Sequence, residues 1–238
     1  MSLLDDVQAN KTNYLSTYRK SEIIMKIAVF GATGIAGRAI VDELLNRGFN
    51  VTVLTRHAAS VSVRHKRLNV IEGCVTDSSD IRKVIEGQDA VVQTLGIGGK
   101  GNGKPTTFVS EANRLIMDEM EAMGVRRFIA ISVIGAGDSL FFMPWIYRNF
   151  VMPLFMKWFV PIIEDKNRME TMIRKSKLAW TIVRCTTIKN IPPRGNVKVS
   201  FDGKGIKYSI AAADMTAFFE DCISENRYRL QTPVICNS

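Results

Sequence analysis

The sequence predicts an α/β fold: a three-layer Rossmann domain with a doubly wound, mainly parallel sheet. An apolar run at Ile27–Phe30 precedes a turn, Gly31–Gly37, with glycine at every third position. Apolar residues then recur at helical spacing until Gly48, and a second apolar run follows at Val51–Leu54. A strand, a glycine turn, a helix and a second strand therefore follow one another, and we interpret them as a βαβ unit.

The glycine turn has the spacing of a pyrophosphate-binding turn. Gly31 permits a tight exit from the strand, Gly34 leaves room for a phosphate against the backbone, and Gly37 lets the helix pack closely on the sheet. We predict that these glycines, with Thr33 and Ile35 of the same turn, bind a dinucleotide. The alternative is a tight turn without a ligand.

The end of the second strand indicates which dinucleotide is bound. An NAD site has an acid about 20 residues after the glycines, where it accepts a hydrogen bond from the ribose. Here the strand ends at Thr55 and Arg56, with no acid. A guanidinium can hold a 2′-phosphate, and Thr55 can add a hydroxyl, so we predict NADP as cofactor. The alternative for Arg56 is a solvated surface side chain.

The remaining pattern continues the alternation of strands and helices. Strands are predicted at 69–72, 90–94, 127–132, 179–183, 197–201 and 232–236. Helices are predicted at about 78–86, 107–123, 165–176 and 214–224. Their expected first residues or N-caps are Ser78 or Ser79, Thr106 or Thr107, Asp165, and Asp214.

Ligands of open α/β sheets bind at the carboxyl ends of the strands. We therefore expect further cofactor contacts from three loops. The residues are Cys74 and Val75 beside the adenine, Leu95 and Gly96 beside the nicotinamide ribose, and Thr186 and Thr187 after the sixth strand.

Composition narrows the functional class. The net charge of +9 favours anionic ligands. No nucleic-acid motif accompanies the charge, so we expect a small-molecule partner and no nucleic acid. The four cysteines lack CxxC or zinc spacing, which indicates reduced cytosolic thiols, no metal site and a cytoplasmic location.

We expect residues 1–24 to be a polar extension, poorly ordered or a short surface helix and not a signal peptide, before a domain at 25–238. The cap segment, residues 135–165, is rich in aromatic residues and methionine. Pro144, Pro153 and Pro161 exclude a transmembrane span. The cap segment could be a helical insert on the domain, a cover over a planar substrate, or a membrane-surface contact through its aromatics, Arg148 and Lys157.

The glycine turn, the Leu54–Arg56 strand end, and the combination of Asp165–Lys166, Glu170 and Trp180–Arg184 carry a family resemblance. The chain resembles atypical short-chain dehydrogenases with one NAD(P)-binding domain, closest to the flavin reductase/biliverdin-IXβ reductase and NmrA-like group. The resemblance covers about residues 26–233. It implies a Rossmann domain that reduces a flat acceptor.

The same resemblance places Lys166 at the catalytic lysine and Ser132 near the serine after strand five. The tyrosine that precedes the lysine by four residues is replaced by Ile162. Without that proton donor, carbonyl reduction and epimerisation are disfavoured, whereas a flavin or quinone can take its proton from solvent.

We therefore predict an NADPH-dependent reductase of a flavin, quinone or tetrapyrrole-like ring. Lys166 would position the ligand, Ser132 would assist, and aromatic residues between Phe141 and Phe159 would form a flat apolar wall. The alternatives are an NADP(H)-binding regulator without turnover and, disfavoured by Ile162, an epimerase or dehydratase. The oligomeric state is not predicted.

Overall fold

A computed structural model describes residues 24–97 and 101–238 of the chain. The expectations for residues 1–23 and for the glycine tract at 98–100 lie outside the described residues. Eight strands form one sheet in the order β3-β2-β1-β4-β5-β6-β10-β8, and a short second sheet pairs β7 with β9. The strands are β1 Lys26–Phe30, β2 Asn50–Thr55, β3 Leu68–Glu72, β4 Ala90–Gln93, β5 Arg127–Val133, β6 Ala179–Cys185, β7 Thr187–Lys189, β8 Val197–Ser200, β9 Ser209–Ala211 and β10 Val234–Asn237.

The main sheet is parallel except for β8, which runs antiparallel to β10. The predicted strands are therefore confirmed within about two residues. The β7–β9 pair was not predicted, because its strands have three residues each and are too short to show an alternating pattern.

Helices cover both faces of the sheet. They are α1 Ile35–Asn46, α2 Ser78–Ile85, α3 Phe108–Met123, α4 Met152–Phe155, α5 Val160–Lys175 and α6 Ala212–Ser224. Successive β1 side chains point to opposite faces, so Val29 packs with α1 and α6 while Phe30 packs with α2, α3 and α5. The result is the three-layer fold predicted from the sequence.

Some helix boundaries differ from the predictions. The N-cap of α2 is Asp77, whose carboxylate accepts the backbone N–H of Ser79 at 2.8 Å, so neither Ser78 nor Ser79 is the cap. Asp214 is also not a cap, because it lies inside α6 and accepts the N–H groups of Arg194 and Gly195. Helix α5 starts at Val160 with Pro161 in its first turn, five residues before the predicted start.

The cap segment is mostly helical. It contains a 3₁₀ turn at Gly137–Phe142, a π-helical turn at Tyr147–Val151, α4, and the first turn of α5. Its buried Met143 and Met152 pack with Ile134 and Val234 of the domain. None of the helices in the described parts of the chain is long and apolar enough to span a bilayer.

Candidate functional site

The glycine turn joins β1 to α1 at the point where the strand order reverses between β1 and β4. Gly31 has a φ of +88°, and a Cβ there would lie 2.8 Å from the carbonyl carbon of Thr94. A Cβ at Gly37 would overlap the carbonyl oxygen of Gly31. Both glycines are thus required by close backbone packing, as the sequence predicts.

Gly34 differs from its two neighbours because the chain itself does not require it. A Cβ at Gly34 would meet only the carbonyl oxygen of Gly31, at 3.6 Å, and Gly34 is exposed. Ile35 beside it is 61% exposed, and Thr33 is partly exposed. The surface in front of the α1 N-terminus is therefore open, with unpaired N–H groups available to an anion.

Arg38 is a candidate site residue that we did not predict from the sequence. It lies in the first turn of α1, is exposed, and shares that turn with no acidic residue. A cation at a helix N-terminus is unfavourable for the helix dipole unless an anion is also present. The signal was available in the sequence, since an arginine directly follows Gly37.

The tip of β2 carries the residues expected at the adenosine ribose. The hydroxyl of Thr55 accepts the backbone N–H of His57 at 3.3 Å and shapes the turn. Arg56 is exposed and makes no ion pair among residues 24–97 and 101–238. An acid not considered from the sequence, Glu72, also reaches this corner and accepts the N–H of Ala58 at 3.0 Å.

The loop after β3 lies beside Arg56. The carboxylate of Asp80 fixes this loop by accepting the Cys74 N–H at 3.0 Å. A hydrogen bond with Thr76 lowers the pKa of the Cys74 thiol, and the positive charge of Arg56 contributes a smaller part. Cys74 and Val75 are partly exposed, as a contact with a ligand would require.

The loop after β4 completes the open edge. The hydroxyl of Thr94 donates to the carbonyls of Phe30 and Gly31, at 3.0 and 3.1 Å, and ties this loop to the glycine turn. Leu95 is partly exposed, and Gly96 is exposed, with no atom within 4 Å of an added Cβ. Backbone at Gly96 is thus accessible to a ligand.

Lys166 lies on α5 and is only 4% exposed. Its ammonium donates to the carbonyl of Ile131 at 2.9 Å and to the carbonyl of Leu95 at 3.1 Å. Burial lowers the pKa of Lys166 to about 8, against the opposing negative charges of Asp165 and Glu170. The ammonium thus holds together the helix, β5 and the loop after β4.

Ser132 is placed in a buried ion-pair network. Its hydroxyl donates to the Glu170 carboxylate at 2.7 Å, and that carboxylate also accepts two bonds from Arg184, at 2.7 and 3.1 Å. Arg184 donates a further bond to Asp138 at 2.6 Å. Ser132 is 1% exposed, so contact with an acceptor would require its hydroxyl to leave Glu170.

Thr186 and Thr187, at the end of β6, differ in exposure. The hydroxyl of Thr186 donates to the carbonyl of Ile235 at 3.2 Å and is buried. Thr187 is exposed, and its backbone N–H donates to the carbonyl of Tyr208, directly before β9. Thr187 is therefore the more accessible of the two to a ligand.

Apolar residues gather next to Lys166 and the loop after β4. A Cβ at Gly101 would lie 2.7 Å from the carbonyl oxygen of Trp158, 3.2 Å from Cδ1 of Ile162 and 3.3 Å from Cδ1 of Ile97. We call the side chains of Ile97 and Ile162 the apolar wall; Trp158 approaches the same point through its backbone. Trp158 and Ile162 belong to the carboxyl-terminal end of the cap segment and Ile97 to the loop after β4, whereas the predicted wall spanned Phe141 to Phe159.

The family comparison agrees with this geometry. The NAD(P)H-binding family matches residues 31–226, from the glycine turn to beyond α6. This chain belongs to the NAD(P)H-binding family. Gly34, Gly96 and the α1 N-terminus form the open edge at which we expect the NAD(P)H cofactor of this family.

Three relatives can be compared along the sequence. An uncharacterised chloroplast protein of Arabidopsis thaliana is 31% identical over 72% of this chain and 62% of its own length. The UPF0659 protein YMR090W of Saccharomyces cerevisiae is 30% identical over 84% of this chain and 87% of its own. The divinyl chlorophyllide a 8-vinyl-reductase of Arabidopsis thaliana is 25% identical over 90% of this chain. The chain spans only 54% of that reductase.

Solved structures share the fold. The anaerobilin reductase ChuY of Escherichia coli O157:H7 superimposes with a TM-score of 0.73 at 19% identity, over 90% of this chain and 97% of that one. A short-chain dehydrogenase/reductase of Veillonella parvula in complex with NADP gives 0.72 at 16% identity, over 90% and 95%. These similarities support the fold described above.

Proposed function

We propose that this chain is an NADPH-dependent reductase that transfers hydride to a flat conjugated acceptor. The observation that carries the proposal is the apolar wall, which lies beside the loop that Lys166 holds at the cofactor edge. A flat conjugated ring has two large apolar faces, and an apolar surface next to the nicotinamide position would pack against one of them.

The residues at the open edge fit a phosphorylated dinucleotide. The α1 N-terminus and Arg38 would hold the pyrophosphate, because the space before Gly34 is open and no acid lies in the first turn. Arg56 would hold a 2′-phosphate and select NADPH. The Glu72 carboxylate at the same corner would oppose this preference, because it would repel a 2′-phosphate.

The proton balance follows from the residues around Lys166. When bound, NADPH supplies a hydride to the acceptor and leaves as NADP⁺. Ile162 at the usual tyrosine position cannot donate a proton, and the Ser132 hydroxyl already donates to Glu170. The proton that completes reduction would therefore come from water, which suits flavins, quinones and tetrapyrroles better than simple ketones.

The names of two similar proteins support the tetrapyrrole class in particular. The vinyl-reductase relative acts on divinyl chlorophyllide a, and the structural neighbour ChuY is an anaerobilin reductase. Both names describe reduction of an extended conjugated pigment. The net charge of +9 would also favour an acceptor that carries carboxylates.

A second function is favoured by one observation. Ile162 stands at the usual tyrosine position, and the Ser132 hydroxyl donates to Glu170. Among the described residues near Lys166, neither position therefore offers a hydroxyl that could donate a proton to an acceptor. A regulator that binds NADP(H) without turnover would need neither group. A cytoplasmic location stays a prediction for both functions.

The test is a steady-state assay of NADPH oxidation with a panel of acceptors. We expect turnover with FMN, a small quinone or a linear tetrapyrrole, and little with an aliphatic ketone or a sugar nucleotide. NADPH binding is measured in parallel by fluorescence titration. Tight NADPH binding without turnover by any conjugated acceptor would reject the reductase and leave the regulator.

A further inference from the structure

The outer side of the cap segment exposes large apolar side chains. Six of them are between 49% and 77% exposed: Phe141, Trp145, Ile146, Phe150, Leu154 and Phe155. We call these six residues the outer face. Exposed apolar residues in a contiguous stretch mark an interaction surface more often than isolated ones do.

The opposite side of the same segment is also apolar. Met143 and Met152 are buried against the domain, with Tyr147, Met156 and Phe159 partly buried beside them. A surface helix normally buries one apolar side and turns a polar side to water. This segment is apolar on both sides, so its outer face is suited to a second apolar environment.

The charge around the outer face has one sign. Between Asp138 and Glu164 the chain has no acid, and its two charged residues are Arg148 and Lys157. The guanidinium of Arg148 lies 4.9 Å from the ring centre of Phe141, so a cation is in contact with the outer face itself.

A neighbouring basic stretch adds to this charge. Residues 189–208 contain five lysines or arginines and one acid, Asp202. This stretch contacts the cap segment twice. The rings of Tyr147 and Tyr208 stack at 6.4 Å, and a Cβ at Gly203 would lie 2.8 Å from Phe142. Lys207 is therefore held close to the cap segment.

We propose that the outer face docks on the surface of an anionic lipid bilayer. Its aromatic and aliphatic side chains would enter the boundary between headgroups and acyl chains, while Arg148, Lys157 and Lys207 would lie at the lipid phosphates. Apolar residues together with cations and without acids form the composition of interfacial membrane-binding segments. The proposal is independent of the reductase function.

Other occupants fit the charges or the side chains less well. A second copy of the chain would bring the same cations against one another, at a cost in electrostatic repulsion. Single-stranded nucleic acid would satisfy the cations, but Ile146 and Leu154 have no ring on which a base can stack. An anionic bilayer satisfies both the charges and the aliphatic side chains.

The test is flotation of the full-length chain with phosphatidylcholine vesicles that contain or lack phosphatidylglycerol. We expect binding to the anionic vesicles, weakening as salt is added, and little binding to the neutral ones. Trp145 should shift its fluorescence to shorter wavelength on binding. Absence of binding to anionic vesicles would overturn the proposal.

Variants distinguish the outer face from general electrostatic attraction. The double variant Trp145→Ser/Phe155→Ser should bind anionic vesicles at least ~10-fold more weakly, because two apolar anchors are lost. Lys157→Glu should weaken binding at least ~5-fold. Lys177→Glu makes the same charge change between α5 and β6 and serves as the matched control. Equal binding by all variants would overturn the proposal.

Two further measurements complete the design. Circular dichroism and NADPH titration check that each variant keeps its fold and its cofactor site. Sedimentation without vesicles reports self-association. If the chain self-associates through the outer face and ignores vesicles, the occupant is a second copy and the bilayer proposal is wrong.

Discussion

The Lys166 ammonium lies where three parts of the chain meet. It belongs to α5, and its two carbonyl partners belong to β5 and to the loop after β4. A buried cation bonded to backbone positions its neighbours more readily than it donates a proton. Its pKa of about 8 nevertheless allows it to lose its charge within an accessible pH range.

The effect of Lys166 on stability can be predicted with its sign. Its ammonium titrates near pH 8 in the folded chain and near its ordinary value of 10.5 when unfolded. Between these values the unfolded chain binds more protons, so the Lys166 contribution increases the free energy of unfolding as pH rises. Chemical denaturation across that range should show this rise in the natural chain relative to Lys166→Met.

A matched variant controls this measurement. Lys175→Met removes an exposed lysine from the end of the same helix and should leave the pH dependence unchanged. Both variants keep Cys185, whose thiol pKa is raised by burial, so its own contribution largely cancels. Parallel stability curves for the natural chain and Lys166→Met would contradict this prediction.

In the acceptor assay Lys166→Ala should lower the rate of NADPH oxidation roughly 10-fold, about 1.4 kcal/mol of barrier.

Arg56 is the residue on which cofactor choice is expected to depend. We predict that NADPH binds at least ~10-fold more tightly than NADH, about 1.4 kcal/mol, and that Arg56→Ala removes most of this difference. Glu72→Gln is the companion variant, because loss of its charge should improve NADPH binding if the carboxylate repels the 2′-phosphate. If fluorescence titration gave equal affinities of the natural chain for NADPH and NADH, Arg56 would not discriminate between the two cofactors.

Two glycines of the turn between β1 and α1 have different roles, one in packing and the other in ligand binding. Gly37 is required by contact with Gly31, whereas the space before Gly34 is open. Gly34→Val should therefore fold normally and lose NADPH binding, because its side chain would occupy the pyrophosphate position. Gly37→Val should fail to fold or unfold at a lower temperature. Normal NADPH binding by Gly34→Val would place the phosphate site elsewhere.

Helix α3 begins against a side chain from another helix. The Asp165 carboxylate accepts the N–H groups of Val109 and Ser110 at 2.9 and 3.1 Å, and it is 1% exposed. Asp165→Asn keeps the shape but removes the charge, so we expect a loss of roughly 1–2 kcal/mol of stability. Thermal unfolding measures it, and Asp118→Asn on the exposed side of α3 is the control. An unchanged midpoint would show that the N-terminus of α3 does not need this charge.

Across the whole molecule, the parts of the fold that could be predicted are those whose signals lie close together in the sequence. The βαβ unit and the glycine turn were predictable because strand length, helical spacing and turn glycines are adjacent in the chain. The contact of the Asp165 carboxylate with the N-terminus of α3 was not predictable, because Asp165 lies 55 and 56 residues from Ser110 and Val109 along the chain. For the same reason the sequence did not show that Ser132 would donate to Glu170, or that Ile162 would lie beside Ile97.

The backbone of Trp158 lies beside Gly101, next to the expected cofactor edge, and gives the chain an optical probe there. Cofactor that enters beside Leu95 would change the surroundings of this indole, so NADPH binding should alter intrinsic fluorescence in stopped-flow mixing. Trp158→Phe should remove most of that signal, and Trp145→Phe should leave it in place. The vesicle experiment relies on Trp145 instead. Two tryptophans of one segment would thus report separately, one on the arrival of the nucleotide and the other on contact with a lipid surface.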